Sequence, residues 1–389
     1  MTQKSYLAQN YARSPIEFVK GEGAYLIDST GREYLDFGSG IAVNALGHHH
    51  PYLINAMQEA IQRPWHLSNI FTIPEQEKLG KRLCETSFAD RAFFCNSGAE
   101  ALEASFKMAR RYHYLQGNQH KYRIITLTGA FHGRTLATTA ATGNANYLEG
   151  FGPKVEGFDQ VAFMNLNEMR SAIGDDTAAI LIEPVQGEGG FRVADDAYLT
   201  AIRQICDEYN LLLIYDEVQC GNGRTGKYWA YEWSGIEPDI LATAKGLGGG
   251  FPIGAVLAKE EVAAALTPGS HGTTFGGNPL AMAIGNAVLD IIQDPGFMEK
   301  VNHTALILDK KLRDLQTQYP DKIIELRGRG LMRGLVLVET MVARDQVAIL
   351  RDHGLLTVAS GQSVIRLLPP LIIDESHIDQ AISILATLF

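Results

Sequence analysis

Between residues 91 and 258 the chain alternates short apolar runs with segments of helical length, and this alternation constrains the fold more than any other feature. Arg91–Cys95 (RAFFC), Arg123–Leu127 (RIITL), Ala178–Glu183 (AAILIE), Leu211–Tyr215 (LLLIY), Asp239–Thr243 and Ile253–Ala258 read as strands. Their near-continuous apolar character marks strands buried on both faces. Helical patterns from about Ala99 to His113 and over Asp195–Tyr209 lie between them. Strands separated by helices predict an α/β fold with a mainly parallel sheet and helices on both faces. In such sheets ligands gather beyond the carboxyl ends of the strands. Asn96-Ser97-Gly98, Asp216-Glu217 and Lys245-Gly246 each sit just past an apolar run.

The flanks read differently. Helical patterns over Pro279–Ile292 and Met298–Gln318 precede short strands at Gly334–Val338, Leu355–Val358 and Val364–Leu368, with a final helix over Glu375–Leu388. Near the start, Ala24–Asp28 and Glu33–Phe37 are strand-like and joined by a Ser-Thr-Gly turn. With 389 residues to divide, more than one core is expected. The expected organisation is a large domain over 51–280 and a small α+β domain over 281–389, against which residues 1–50 pack.

A net charge of −10 argues against a general binder of nucleic acid or anionic membrane. No apolar run is long enough to span a bilayer, and the N-terminus lacks a secretory pattern. Cys84, Cys95, Cys206 and Cys220 are far apart without metal-ligand spacing, which fits free thiols in a reducing cytoplasm. His48-His49-His50 before Pro51 reads as a polar turn feeding a helix rather than a metal site, since adjacent histidines cannot converge on one ion.

Several segments carry chemistry. In DILATAKGLGGGFPIGA a strand delivers Lys245 into a glycine-rich turn, a setting in which burial frees a lysine amine for Schiff-base formation; a surface turn lysine fits the same pattern. In NSGAEA a strand, a small-residue turn and a helix start place backbone N–H groups of Gly98 and Ala99, and the Ser97 hydroxyl, where a phosphate can sit. A plain helix cap is equally consistent with that segment. Asp216 ends an apolar strand, where a carboxylate needs a partner such as a pyridinium nitrogen. Glu217 alternates to the other face, and Gln219 can reach a cofactor oxygen. In GAFHGRTLATT, Phe131 suits ring stacking and Arg134 a bidentate carboxylate clamp. Glu183 and Glu188 in IEPVQGEGG, Thr273 and Thr274 in HGTTFGGNPL, and Arg366 in VIRLLPP are further candidates, each of which alone fits a structural role.

Taken together, NSGAEA, FHGRT, EPVQGEGG, DEVQ-x-G-x-GRTG, AKGLGGGFPIGA and TTFGGNPLA resemble, in order and spacing, the class-III aminotransferases of the aspartate aminotransferase fold. The resemblance spans nearly the whole chain and implies a fold-type-I enzyme using pyridoxal 5′-phosphate. It implies that Lys245 forms the Schiff base and moves the proton between Cα and C4′ of the substrate–cofactor adduct. Asp216 would pair with the pyridinium, Gln219 with the 3′-oxygen, Phe131 with the ring face, and Ser97, Gly98 and Ala99 with the phosphate. Thr274 matches a threonine that reaches the phosphate of the neighbouring subunit, which implies a homodimer with shared active sites. Cys220 stands where the family commonly has threonine.

The segments NYARSPIEFVKGEGAYLIDSTGREYLDFGSGIAVNALGHHHP and SNIFTIPEQEKLGKRL are most similar to acetylornithine aminotransferases. Ile41 stands where ornithine δ-aminotransferases tend to carry a tyrosine for the free α-amine. That subfamily implies N2-acetylornithine, 2-oxoglutarate and glutamate as substrates, with Arg134 on the distal carboxylate. Arg366 would take the carboxylate nearer the cofactor, Glu188 would neutralise Arg366 on demand, and Tyr11 would lie at the distal substrate end. Succinylornithine, ornithine and 4-aminobutyrate aminotransferases are the competing readings, with a non-catalytic relative as a different class.

Overall fold

In the computed structural model, which describes residues 6–389, the chain opens with three antiparallel strands, β1 (Phe18–Glu22), β2 (Tyr25–Asp28) and β3 (Glu33–Asp36). A central sheet follows from β4 (Arg91–Cys95), β5 (Arg123–Leu127), β6 (Phe158–Val161) and β7 (Thr177–Ile182). A short hairpin of β8 (Val185–Gln186) and β9 (Arg192–Val193) intervenes. The sheet is completed by β10 (Leu212–Asp216), β11 (Ile240–Thr243) and β12 (Gly254–Ala258), in the order β4-β12-β11-β10-β7-β5-β6. Only β12 runs against its neighbours, so the sheet is mainly parallel, as the alternation predicts. Strand β10 shows why the runs are continuously apolar. Leu213 and Tyr215 enter the core layer shared with the helix Asp196–Tyr209, while Leu212 and Ile214 enter the opposite layer with the helix Gly98–Leu115.

The remaining strands are β13 (Ile323–Arg329), β14 (Met332–Leu337), β15 (Leu355–Leu356), β16 (Val358–Ser360) and β17 (Val364–Leu367). The run Leu355–Val358, expected as one strand, divides at Thr357. β15 pairs in parallel with β3, whereas β16 joins the sheet β13-β14-β17-β16. This division attaches β1–β3 to the C-terminal part, and a third core containing Leu35, Phe37, Leu46, Leu308, Leu312 and Ile365 fills the junction. His50 directly precedes the helix Pro51–Ala60 and His48 pairs with Asp36 at 2.8 Å, so the histidine run is a turn into a helix. Among the described residues no helix is long and apolar enough to cross a membrane.

Besides β1 and the short β8–β9 hairpin, two strands escape the sequence reading. β6 (FDQV) is a polar edge strand, and in β13 (IIELRGR) exposed Glu325 and half-buried Arg327 interrupt the apolar run. The loop after β10 is locked to the C-terminal part by Arg224, which donates to the carbonyls of Leu331 (3.2 Å) and Pro369 (2.5 Å). Burial pushes its pKa down to about 9.

Leu35 faces this junction fully buried and in register with Leu355. Leu35→Ala is expected to cost about 2–5 kcal/mol in urea denaturation. Leu306→Ala, on an exposed side chain of the helix Pro295–Gln318, should stay within about 0.5 kcal/mol.

Candidate active site

The parallel strands end on one edge of the central sheet, and the turns beyond β4, β5, β7, β10 and β11 enclose a cavity of about 410 Å³. Its walls include Ser97, Gly98, Ala99, Phe131, Arg134, Glu188, Asp216, Gln219 and Lys245. Nine of the twelve residues to which the family resemblance assigns a role are thus brought to one place.

Lys245 begins a short 3₁₀ turn directly after β11, with φ at +46°. A left-handed backbone at a bulky side chain is strained, and here it aims the lysine into the cavity. Burial lowers the pKa of its amine from the ordinary lysine value, while the negative charges of Asp216 and Glu188 partly oppose that shift. Asp216 lies at the C-terminal end of β10, almost fully buried. Its Oδ1 accepts the Val218 amide at 3.0 Å, and its Oδ2 accepts His132 Nδ1–H at 2.8 Å. The carboxylate thereby sets the tautomer of the imidazole. His132 was not singled out from the sequence. Its signal was its place between Phe131 and Arg134, since a buried histidine in an apolar setting needs a partner.

Glu183 was read as structural, and the structure makes it an organiser of the site. Its Oε2 accepts the Phe131 amide and its Oε1 the Gly187 amide, both at 3.1 Å, which ties two walls of the cavity together. Burial pushes its pKa up to about 7, with His132 opposing and Asp216 adding to the shift. Glu217, as alternation requires, points away from the cavity. It accepts the amides of Ala230 (2.6 Å) and Tyr231 (2.8 Å) at a separate 3₁₀ turn.

Ser97 caps the helix Gly98–Leu115, its Oγ accepting the Glu100 amide at 3.2 Å. The Gly98 and Ala99 amides belong to the unpaired first turn of that helix and open on the cavity. Capping and anion binding therefore coexist. Gln219 Oε1 is buried without a hydrogen-bond partner among the described residues, and Gly187 lets it approach closely.

Three predicted residues lie outside the cavity. Arg366 on β17 is buried behind Glu188, bonding Glu188 Oε1 (2.6 Å), the Gly187 carbonyl (3.0 Å) and the Ala359 carbonyl (3.2 Å). Thr274 is exposed, while Thr273 Oγ1 lies 3.4 Å from Asn96 Nδ2. Tyr11 lines a neighbouring cleft, also bordered by Tyr147, that shares Arg134 with the main cavity.

This set fits one type of group. A buried carboxylate, an unpaired amide oxygen, a flat aromatic wall, a helix N-terminus and an accessible amine of lowered pKa match a protonated pyridine carrying a phosphate and an aldehyde. The family profile of class-III aminotransferases matches residues 6–389, and the chain belongs to that family of pyridoxal 5′-phosphate enzymes. Acetylornithine aminotransferase of Mesorhizobium japonicum is 54% identical over 97% of this chain and 94% of its own length. N-acetylornithine aminotransferase of Stenotrophomonas maltophilia is 35% identical with a TM-score of 0.85, covering 97% of this chain and 96% of that one. An ornithine aminotransferase of Toxoplasma gondii, with PLP in partial occupancy at its active site, is 32% identical with a TM-score of 0.93. That match covers 98% of this chain and 91% of the other.

The two backbone amides that donate to its buried carboxyl make Glu217 a test of this electrostatic frame. Burial raises its folded pKa to about 8. The folded state then holds its proton while the unfolded state releases it, so its contribution is complete below the unfolded carboxylate range and is lost as pH rises through about 8. Glu217→Gln should lower Tm, and that deficit should shrink as pH rises from 5 to 8. A deficit that grows over this range would contradict the assignment.

Proposed function

We propose that this chain transfers the δ-amino group of N2-acetyl-L-ornithine to 2-oxoglutarate, giving N-acetyl-L-glutamate 5-semialdehyde and L-glutamate, a step of arginine biosynthesis in the cytoplasm. The observation that carries the substrate assignment is the 54% identity, over nearly the full length, to an acetylornithine aminotransferase. Ile41 supports an acylated α-nitrogen, because a hydrocarbon side chain offers no acceptor to a free ammonium.

Pyridoxal 5′-phosphate supplies the aldehyde that takes up the amine and the electron sink that stabilises the deprotonated carbon. The chain's own residues do the rest. Lys245 would hold the cofactor through its amine and would take up the proton from Cδ of the acylornithine as a general base. Its lowered pKa keeps the amine available for that transfer. Asp216, oriented by His132, would hold a proton on the cofactor nitrogen. Phe131 would pack on the ring, Gln219 would bind its oxygen substituent, and Ser97 with the Gly98 and Ala99 amides would receive the phosphate.

Arg134 binds the distal carboxylate of the acylornithine. Glu188 neutralises Arg366 during that half-reaction, and its departure frees Arg366 for the carboxylate of 2-oxoglutarate or glutamate beside the transferred nitrogen. Thr274, exposed in this chain, reaches the phosphate of a second copy in a homodimer, and Tyr11 borders the distal end of the substrate.

The deciding measurement is kcat/KM on acetylornithine, succinylornithine, ornithine and 4-aminobutyrate with 2-oxoglutarate. Acetylornithine should rank first, and a preference for free ornithine would overturn the substrate assignment. Borohydride should fix the cofactor to Lys245. Lys245→Ala should lower turnover by at least about 10²–10⁴-fold, and full turnover in that variant would refute the mechanism.

A further inference from the structure

The two candidate carboxylate-binding arginines are held in opposite ways. Arg366 is fully engaged by Glu188 Oε1 and the Gly187 and Ala359 carbonyls. Arg134 makes no hydrogen bond or ion pair among the described residues. Its guanidinium lies 3.6 Å from the ring centroid of Tyr147 and 5.5 Å from that of Phe131. Phe131 and Tyr147 meet edge to face, with centroids 6.1 Å apart and an interplanar angle of 88°. The aromatic pair therefore forms a corner into which Arg134 fits.

An aromatic face is a particular kind of support. It attracts the cation through the ring quadrupole and restricts its rotation without accepting its N–H groups or neutralising its charge. A carboxylate partner would do both and would compete with a substrate. Tyr147 is the nearer of the two rings and is half-buried in the turn Ala145–Leu148. Asn144 caps that turn through the Asn146 amide at 3.0 Å. Tyr147 also lines the lateral cleft that meets the main cavity at Arg134.

We propose that Tyr147 is a positioning residue for the reaction. Its ring seats Arg134 with the charge and donors left available for the distal carboxylate of the amino-group donor. The inference rests on the reading of Arg134 as the carboxylate clamp. Tyr147 does not line the cavity that holds Lys245 and Asp216, so it acts on substrate affinity and not on the proton transfer at Lys245.

The test is the amine half-reaction of the holoenzyme, followed by the loss of its visible cofactor band on adding acetylornithine without 2-oxoglutarate. Four proteins are compared with wild type: Tyr147→Leu, Tyr147→Phe, Arg134→Ala and the Arg134→Ala/Tyr147→Leu double variant. Leucine keeps apolar bulk while removing the π face, and phenylalanine keeps the face while removing the hydroxyl. Tyr147→Leu should raise the half-saturating acetylornithine concentration roughly 2- to 30-fold, with the limiting rate within about two-fold. Tyr147→Phe should restore wild-type affinity. In the Arg134→Ala background Tyr147→Leu should add nothing, since both act through one contact.

Equal impairment of Tyr147→Phe and Tyr147→Leu, or multiplying effects in the double variant, would overturn the inference while leaving the clamp in place. An Arg134→Ala protein with unchanged affinity would overturn the clamp itself, and the seat with it.

Discussion

A carboxylate buried at the end of an apolar strand is the constraint on which this structure turns. Asp216 is tolerable there only because the chain brings it His132 Nδ1–H and the Val218 amide. That requirement places the turn after β5 over the end of β10. The turn is then held on its other side by Glu183 through the Phe131 amide, and by Thr142 Oγ1, which accepts the His132 amide at 2.9 Å. Phe131 and Arg134, one residue to either side of the His132-Gly133 pair, are delivered to the cavity wall as a consequence. Glu217, one residue beyond Asp216, is desolvated on the opposite face, where two amides of a separate turn bind it and burial still raises its pKa to about 8. One strand end thus organises the cavity on one side and the packing behind it on the other.

The second organising feature is the seam between the central sheet and the C-terminal sheet. Glu188 sits in the hairpin connecting β8 and β9, and Arg366 sits on β17, so their ion pair crosses the seam. The Glu188 carbonyl also accepts Ser360 Oγ at 2.5 Å from β16. The main chain of Glu188 is therefore anchored independently of its side chain, as the proposed pair, opening for one substrate and closing for another, requires. Arg224 reinforces the seam from the loop after β10 by bonding the carbonyl of Pro369, three residues beyond Arg366. In the proposed reaction a reversible neutralisation lies at this seam and a permanently available cation, Arg134, lies at the far wall. That division of labour allows one pocket to accept a substrate with one carboxylate and another with two.

Much of this was written locally in the sequence. The mainly parallel sheet, the position of Lys245 after β11, of Asp216 at the end of β10, and of Ser97–Ala99 after β4 all follow from strands, turns and helix starts that are neighbours in the chain. Apolar periodicity and turn composition are properties of a few consecutive residues, so they can be read from one sequence. The motif order added the family, the cofactor and the candidate roles, because it samples the chain along its whole length. Beyond that reading lay β6, whose polar edge position removes the apolar signal, and the division of Leu355–Val358 between two sheets.

What the sequence determined by itself is therefore the set of chemical groups and the strand ends that present them. Tertiary structure alone decided how those groups are paired. His132 meets Asp216 across 84 positions, Tyr147 is stacked on Arg134 by the fold of the helices after β5, and Tyr11 is placed in a lateral cleft instead of the main cavity. The physical reason is that burial makes each buried charge find a partner, but which partner it meets depends on packing between segments distant in the chain. No local pattern encodes that choice.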